Sequence, residues 1–311
     1  MPLAWVPYAG YAEAERHLGA IPAGLDLDFY RADGDAFPDT VAEVAFYVLP
    51  YLKGIAVLAK AAEMRKLQVV QTLTAGYDDF LPLLPAAVTL CNAAGLHDAS
   101  TAELAVALAL ASGRHLDSYA RDQITGDWNL IWGRSLADRN VLIIGYGHIG
   151  QAIERRLQGF EVASITRVAR HARPGPPQVH PIDDLHRLLP QADVTFLIAP
   201  LTPETEHLIG RSELRLLPDQ ALLVNVARGR LVDTDALLAE LSTGRIRAAL
   251  DVTDPEPLPA DHPLWRQPGV LISPHCGGAS SAFGPRADRL IASQLARFTA
   301  GEPLANVVKA P

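Results

Sequence analysis

The chain has 311 residues, which corresponds to two domains at about 150 residues per domain. Apolar residues make up 49% of the chain and charged residues 20%, so two hydrophobic cores can form and extended disorder is excluded. The formal net charge of −8 opposes binding to nucleic acid or to an anionic membrane through the overall electrostatic field. We therefore expect neither as a partner.

Cysteine content and apolar run lengths bear on the compartment. The two cysteines, Cys91 and Cys276, are too few for a disulfide framework and are compatible with a reducing environment. The first residues, MPLAWVPYAG, lack a cationic segment followed by an apolar one. The longest apolar stretch, 104–111, is well short of the roughly 18 residues that a membrane span needs. These features predict a cytoplasmic protein.

The first part of the chain alternates short strands with helices. Strands are predicted at 3–6, 25–30, 44–48, 68–72 and 88–91, with helices at 12–18 and 55–66. This alternation predicts a parallel sheet. A long helix is predicted to begin at Ser100, because Ser100 and Glu103 have the spacing of a capping box ahead of an apolar run. This helix marks the passage to a second domain.

From residue 140 the alternation becomes denser. Strands are predicted at 141–144, 162–166, 194–198, 222–225, 248–250 and 270–273, and helices at 149–157, 183–189, 212–217, 235–241 and 285–299. Most of these strands are continuous apolar runs, which suit strands buried on both faces. The sequence therefore predicts an α/β protein with two doubly wound parallel sheets.

The segment NVLIIGYGHIG places three glycines directly after an apolar strand and at the head of a helix. Gly145 permits a tight turn, Gly147 lets a pyrophosphate approach the backbone, and Gly150 allows close packing of helix on strand. The N-terminus of the helix attracts the anion. The motif therefore predicts a dinucleotide site that includes His148, through its backbone, and Ile149.

The position that recognises the adenosine ribose points to the phosphorylated cofactor. About 20 residues beyond the first glycine, an enzyme that uses NAD carries an acidic residue, whereas this chain has Thr166 and Arg167 there, followed by Arg170. A guanidinium makes charge-assisted bonds worth about 1.5–3 kcal/mol with a 2′-phosphate. We therefore predict a preference for NADP(H), with NAD(H) open and solvated loop charges as the alternative interpretation.

Three polar side chains follow predicted strands, at the edge where open α/β sheets bind ligands: Arg228, Glu256 and His275. Reduction of a 2-keto acid requires a hydride, a proton and a cation that holds the substrate carboxylate. His275 is the predicted general acid, because imidazole titrates near neutrality. Glu256 would favour the imidazolium, and Arg228 offers a planar fork. Taken singly, each also fits an ion pair, a solvated loop charge or a turn cap.

At these residues the chain resembles the D-isomer-specific 2-hydroxyacid dehydrogenases. The motifs are GYGHIG, LIAPLTPETEHLIG, LLVNVARGRLVD, ALDVTDPEPLP and SPHCGGAS, with a weaker match at VVQTLTAGYDDF. The resemblance implies that Arg228, Glu256 and His275 are the catalytic trio. It also implies that the backbone amides of Ala75 and Gly76 hold the substrate carboxylate opposite Arg228.

The resemblance further implies cofactor contacts and an architecture. Asp251 would lie near the nicotinamide carboxamide, and Pro200, Ala227 and Gly277 at nearby cofactor-contacting positions. A Rossmann dinucleotide-binding domain would span 98–283, and a discontinuous flavodoxin-like substrate domain would comprise 1–97 plus 284–311. A homodimer would form through the cofactor domain. The roles of Arg230, where a small residue is common, and of Cys276 stay open.

The implied reaction is reduction of a 2-keto acid, such as glyoxylate or hydroxypyruvate, to the D-2-hydroxy acid, and the reverse. A dinucleotide-sensing interaction protein of the corepressor type is the alternative, since such relatives can retain the trio. A formate- or phosphite-oxidising relative is disfavoured, because Glu256 stands where the formate type has Gln and Ala75 where the phosphite type has Lys.

Overall fold

The structure is a computed structural model that describes residues 1–309, and it divides into two compact units. Unit 1 comprises Met1–His97 and the segment from Ser281 onward, and unit 2 comprises Asp98–Ser280. Each unit is built on a largely parallel sheet with helices, which confirms the predicted fold class. The second boundary between the units lies between Ser280 and Ser281, three residues before the boundary expected at 283/284.

The strands are β1 (Leu3–Val6), β2 (Asp26–Phe29), β3 (Val44–Val48), β4 (Val69–Gln71), β5 (Thr89–Cys91), β6 (Asn140–Ile144), β7 (Ser164–Ala169), β8 (His180–Pro181), β9 (Val194–Leu197), β10 (Leu222–Asn225), β11 (Arg247–Leu250), β12 (Val270–Ile272) and β13 (Val307–Lys309). The α-helices are α1 (Tyr11–Leu18), α2 (Asp98–Gly113), α3 (Leu116–Thr125), α4 (His148–Leu157), α5 (Leu185–Leu188), α6 (Arg211–Leu216), α7 (Thr234–Leu241) and α8 (Phe283–Ala300). Within residues 1–309, no helix combines the length and the apolar character that a membrane span requires.

The sheet of unit 1 has the strand order β13-β5-β4-β3-β1-β2. Strands β1–β5 are parallel to one another and follow the flavodoxin-like order. Strand β13 pairs antiparallel with β5 at the edge of the sheet. The central strand β3, with the sequence VAFYV, is buried along its whole length because helices and loops cover both faces. Helix α8 contributes Ala287, Ile291 and Leu295 to one of the two hydrophobic clusters of this unit.

The sheet of unit 2 has the order β12-β11-β10-β9-β6-β7-β8, and all of its strand pairs are parallel. This is the Rossmann order, in which the order of the strands reverses between β6 and β9 and leaves a crevice at the carboxyl ends of these parallel strands. Two hydrophobic clusters fill the spaces between sheet and helices on either face. The glycine motif follows β6 and therefore lies at that crevice.

The structure corrects several of the predicted elements. The stretch 55–66 forms two short 3-10 turns, Ile55–Leu58 and Ala61–Glu63, and not one α-helix. Helix α2 begins at Asp98, so Ser100 lies inside the helix and does not cap it. Helix α3 and strands β8 and β13 were not predicted. Strand β7 runs to Ala169, beyond the predicted end at Thr166.

Candidate active site

In the glycine turn after β6, a side chain at two of the three glycines would clash with the backbone, whereas the third has open space beside it. Gly145 has φ +104°, and a Cβ there would lie 2.5 Å from the backbone of Ile198. A Cβ on Gly150 would lie 2.4 Å from the carbonyl oxygen of Gly145. Gly147 has no atom within 4 Å of such a Cβ. The open space beside Gly147, at the start of α4, therefore fits the pyrophosphate of a dinucleotide.

The two residues between these glycines differ in their surroundings. The ring of His148 is largely exposed, 3.5 Å from Asp98, so its backbone is the part that the helix N-terminus presents. Ile149 is half-buried and packs against the hydrophobic cluster beside α2. Both residues are therefore placed where the sequence expected them, at the head of α4.

Strand register places Thr166 and Arg167 inside β7. Thr166 pairs with Leu142 and Arg167 with Ile143, so both precede the end of the strand. The glycine turn instead meets the strand at Val168, whose carbonyl oxygen accepts hydrogen bonds from the amides of Gly145 (2.9 Å) and Tyr146 (3.0 Å). The residue that follows the strand, and thus the position at the crevice, is Arg170.

Arg167 is held by a carboxylate that the sequence analysis did not single out. Its Nε donates to Glu154 Oε2 on α4 at 2.7 Å, and its Nη2 contacts Glu154 Oε1. The hydrogen bond from Arg167 holds the pKa of Glu154 below its ordinary value, although burial opposes this. The hydroxyl of Tyr146 also donates to Glu154, at 2.6 Å. This pair joins residues far apart in sequence, so no local pattern signals it.

Two further arginines lie beyond the end of β7. Arg170 is exposed, and within residues 1–309 its charge acts on the carboxylate of Glu204 without a hydrogen bond or an ion pair between them. Arg173 donates from Nη2 to the carbonyl oxygen of Tyr146 at 2.5 Å, and its guanidinium lies 5.4 Å from the centre of the Tyr146 ring. Since Arg167 is neutralised by Glu154, these two carry the positive charge beside the glycine turn.

The turn that carries Arg228 is fixed by the last residue of β10. Asn225 is buried, accepts a hydrogen bond from the amide of Ala227 at 3.1 Å and donates to the carbonyl oxygen of Arg228 at 2.9 Å. A Cβ on Gly229 would lie 1.9 Å from the carbonyl oxygen of Thr253. The Arg228 turn therefore packs directly on the loop that leads to Glu256. A polar residue at the end of a buried strand is the signal that could have revealed Asn225.

His275 and Glu256 form a close pair. Nδ1 of His275 lies 2.5 Å from Oε1 of Glu256, which leaves Nε2 as the nitrogen available to a ligand. The hydrogen bond to Glu256 raises the pKa of His275 above its ordinary value, against the effect of burial. Burial raises the pKa of Glu256, but the hydrogen bond and charge of His275 outweigh it and leave the pKa lowered. The charge of Arg228 lowers both pKa values, so all three groups share one electrostatic environment.

The carboxylate of Asp251 fixes the loop that carries His275 by accepting several hydrogen bonds from that loop. This carboxylate, almost fully buried, accepts hydrogen bonds from Ser273 Oγ at 2.6 Å and from the amides of Cys276 and Gly277 at 2.9 Å each. The amide of His275, which has φ +50°, donates to the carbonyl oxygen of Asp251 at 2.7 Å. Asp251 and Gly277 are therefore joined, and both lie at the carboxyl edge of the sheet.

The remaining predicted residues have these positions. Pro200 follows β9 and its carbonyl oxygen accepts from Thr205, and Ala227 is buried beside Asn225. Ala75 and Gly76 lie in unit 1, in the turn after β4. Arg230 pairs with Glu206 at 2.5 Å. Burial first, and then the charge of Asp251, raise the pKa of Cys276, so its thiol is a weak nucleophile.

Comparison with known proteins finds a family model, a similar sequence and two similar solved structures. Residues 106–277 match the family model described as D-isomer specific 2-hydroxyacid dehydrogenase, NAD binding domain. A protein named glyoxylate reductase from Korarchaeum cryptofilum is 35% identical over 260 residues, which cover 78% of this chain and 76% of the relative.

Two solved structures resemble the chain along nearly its whole length. A D-isomer specific 2-hydroxyacid dehydrogenase family protein from Aeromonas salmonicida has a TM-score of 0.86 and 30% identity, covering 99% of each chain. A D-isomer specific 2-hydroxyacid dehydrogenase from Xanthobacter autotrophicus, solved in complex with NADPH and MES, has a TM-score of 0.81 and 29% identity, covering 99% of this chain and 98% of that one.

Proposed function

Because the chain belongs to the D-isomer-specific 2-hydroxyacid dehydrogenase family, we propose that it reduces small 2-keto acids such as glyoxylate or hydroxypyruvate to D-2-hydroxy acids, with NADPH as the preferred reductant. The single observation that carries this proposal is the contact of 2.5 Å between His275 and Glu256, within reach of the charge of Arg228. The glyoxylate reductase activity of the relative from Korarchaeum, as its name states it, supports this substrate class.

The proposed mechanism assigns one task to each member of the trio. When bound, the dinucleotide supplies the hydride that the carbonyl carbon receives. Nε2 of His275 donates a proton to the carbonyl oxygen, which balances the charge of the added hydride. Glu256 keeps the imidazole protonated and fixes its orientation through Nδ1. Arg228 binds the substrate carboxylate and polarises the carbonyl oxygen, as a planar guanidinium can. In the reverse direction neutral His275 accepts the proton.

A rate matrix tests the proposal. Glyoxylate, hydroxypyruvate and bulkier 2-keto acids are each assayed with NADPH and with NADH, by the loss of absorbance of the reduced cofactor. His275→Asn is expected to lower the rate about 100- to 10,000-fold while cofactor binding is retained. His186→Asn is the matched control, because His186 pairs with Glu213 at 2.6 Å elsewhere in unit 2. Cofactor binding without turnover of any keto acid would favour the corepressor-type alternative.

The proposed cofactor preference rests on arginines beyond β7. Arg170, exposed at the strand end, and Arg173, beside Tyr146, are the cations that we assign to the 2′-phosphate, and Arg167 contributes mainly by neutralising Glu154. Arg170→Asp is expected to lower the ratio of kcat/KM for NADPH over NADH about 10- to 100-fold. Arg155→Asp, at another arginine of unit 2, is the control. An unchanged ratio for Arg170→Asp would reject this assignment.

We also propose that two copies associate through unit 2. Within 116–132 six large apolar side chains are exposed, including Trp128 (100%) and Trp132 (91%). Exposed apolar surface of this density marks an association site. Trp128→Ser with Trp132→Ser is expected to convert a dimer to a monomer in light scattering, whereas Leu52→Ser with Ile55→Ser, exposed residues of unit 1, leaves it dimeric. A monomeric unmodified protein would reject the proposal.

The cytoplasmic location predicted from cysteine content stays a prediction. The thiols of Cys91 and Cys276 are both unpaired in the structure, which is compatible with it. Fractionation of the cells that produce the protein would test it.

A further inference from the structure

The turn 72–76 after β4 has an unusual hydrogen-bond pattern: each of its carbonyl oxygens accepts from a side chain. The donors, in chain order of the acceptor, are Gln71 Nε2 to Thr72, His97 Nε2 to Leu73, Thr72 Oγ1 to Thr74, Asn92 Nδ2 to Ala75 and Thr74 Oγ1 to Gly76. The distances are 2.7–2.8 Å. Side chains of unit 1, including two threonines of the turn itself, therefore hold every carbonyl group of the turn.

These bonds orient the amide groups that the turn presents. In a trans peptide the carbonyl of one residue and the N–H of the next point in opposite directions. The carbonyl oxygen of Thr74 accepts hydrogen bonds from Thr72 Oγ1 and from the amide of Ala93, the latter at 2.9 Å. The N–H of Ala75 therefore points away from these two donors. Asn92 holds the oxygen of Ala75 and so directs the N–H of Gly76. Within residues 1–309, neither amide has an acceptor.

A second layer of buried amides stands behind this turn. Gln71 also donates to the carbonyl oxygen of Asn92 at 3.0 Å, and its Oε1 accepts from Gln294 of α8 at 2.7 Å. Gln294 in turn exchanges hydrogen bonds with the backbone of Ala305, both at 2.9 Å. Gln71 and Gln294 are fully buried, and Asn92 nearly so. Apolar residues would fill this core at lower desolvation cost, so the polar network indicates a task other than packing.

We propose that Asn92 and Thr72 are positioning residues for substrate binding, which hold the amides of Ala75 and Gly76 in the orientation that receives the carboxylate of the 2-keto acid. This inference rests on the proposed function. N–H groups whose directions are fixed beforehand bind an anion more tightly, because ordering them at the moment of binding costs affinity. Gln71 and Gln294 keep Asn92 and the turn in register with β5 and α8.

Loss of the Asn92 side chain and loss of the Thr72 hydroxyl are expected to have effects of different size. Ala75 oxygen has Asn92 as its one donor among residues 1–309, whereas Thr74 oxygen keeps the amide of Ala93 when Thr72 is altered. Asn92→Ala is therefore expected to raise the KM for glyoxylate about 3- to 10-fold, and Thr72→Val about 2-fold. Thr72→Ser, which retains the hydroxyl, restores the KM of the unmodified protein.

The experiment uses the full chain with saturating NADPH and two probes. Glyoxylate gives kcat and KM, and oxamate, a 2-oxo carboxylate analogue that is not reduced, gives a Kd by calorimetry. We expect the KM and the oxamate Kd to rise together, with kcat within about 2-fold and the Kd for NADPH unchanged, as for loss of one oriented group. Asn306→Ala is the matched control, because Asn306 Nδ2 donates to the carbonyl oxygen of Ala94 at 3.0 Å, outside the turn.

Each outcome decides between the two proposals. A lower melting temperature for Asn92→Ala with unchanged KM and oxamate Kd would show that Asn92 is structural and overturn the inference while the proposed function stands. If the unmodified protein reduces no keto acid, the proposed function fails, and the oxamate titration still tests the turn. Absence of oxamate binding to the unmodified protein would overturn the inference by itself. Thr72→Val serves if Asn92→Ala does not fold.

Discussion

Replacement of Glu256 by Gln isolates the effect of one negative charge on the proposed general acid. Glutamine keeps the size of the side chain and an oxygen that can accept from Nδ1 of His275, so the contact of 2.5 Å can persist without its ion-pair component. The hydrogen bond to Glu256 is the main cause of the raised pKa of His275. The substitution is therefore expected to move that pKa downward.

The size of the shift follows from the exposure of the pair. Charge-assisted hydrogen bonds contribute about 1.5–3 kcal/mol when shielded, but the side chains of His275 and Glu256 are 46% and 40% exposed. Solvent screening limits such pairs to about 1 kcal/mol or less. Since about 1.4 kcal/mol corresponds to a factor of 10 in an equilibrium constant, loss of the charge is expected to lower the ratio of imidazolium to imidazole at a fixed pH by up to about 5-fold.

The sign is fixed by the proton that the reaction consumes. Reduction requires imidazolium, so its rate is full below the pKa of His275 and falls as the pH rises through it. In Glu256→Gln this alkaline fall begins at lower pH. Oxidation of the 2-hydroxy acid requires neutral imidazole, so its acid limb also moves to lower pH. The two directions therefore respond oppositely at a fixed pH near the pKa.

The assay is kcat/KM for glyoxylate with saturating NADPH from pH 5 to 10, repeated for oxidation of the product. Glu213→Gln is the control, because it removes the charge from the other His–Glu pair of unit 2, at His186. An alkaline limb that stays in place in Glu256→Gln, or moves to higher pH, would refute the assignment of His275 and Glu256. An equal shift in Glu213→Gln would refute it as well.

Three further predictions concern groups around the site. Gly147→Ala is expected to weaken NADPH binding about 10-fold or more with an unchanged melting temperature, whereas Gly150→Ala lowers stability by about 1–3 kcal/mol; fluorescence titration and thermal unfolding check this. Asp251→Asn is expected to cost about 1–3 kcal/mol in urea unfolding and to lower kcat, because three donors lose a carboxylate. Arg167→Ala is expected to cost about 1–3 kcal/mol, and a second substitution, Glu154→Gln, to restore most of it in a double-mutant cycle. The first prediction is wrong if both glycine variants lose the same stability, and the second if Asp251→Asn unfolds at the urea concentration of the unmodified protein. The third is wrong if the effects of the Arg167 and Glu154 substitutions on the free energy of unfolding are additive.

The strands were predictable because a strand buried on both faces is a short run of apolar residues in the sequence. Strand β3 and the central strands of unit 2, such as β9 and β10, are buried along their whole length and are mostly apolar, and short apolar runs between turn residues are typical of strands covered on both faces. The region 55–66 was mispredicted for a related reason. Val57, Leu58, Ala61 and Met64 are buried at a spacing that an α-helix and a pair of 3-10 turns both satisfy, so periodicity does not separate them.

Site residues were predictable where a reactive side chain stands in a short sequence motif. They were not predictable where the site depends on contacts between residues far apart in the sequence. His275 and Glu256 stand in short motifs at strand ends, and the structure places them in contact. The ribose position was displaced because the apolar run from Val162 suggested an early strand end, whereas pairing of Asn140 with Ser164 sets the register of β7. Glu154 and Asn92 act across long sequence separations, which local patterns do not record.

The insertion of unit 2 within unit 1 has a consequence for biosynthesis. Strands β1–β5 leave the ribosome before α8 and β13. About 190 residues separate β5 from α8, and their synthesis takes about 10–40 s at about 5–20 residues per second. Throughout that interval the nascent chain exposes the edge of β5 and the apolar surface that α8 later covers. Unpaired strand edges pair with strands of other chains, so the nascent chain is open to aggregation during this interval. Unit 2, continuous in the chain, can complete its fold first although it is synthesised second.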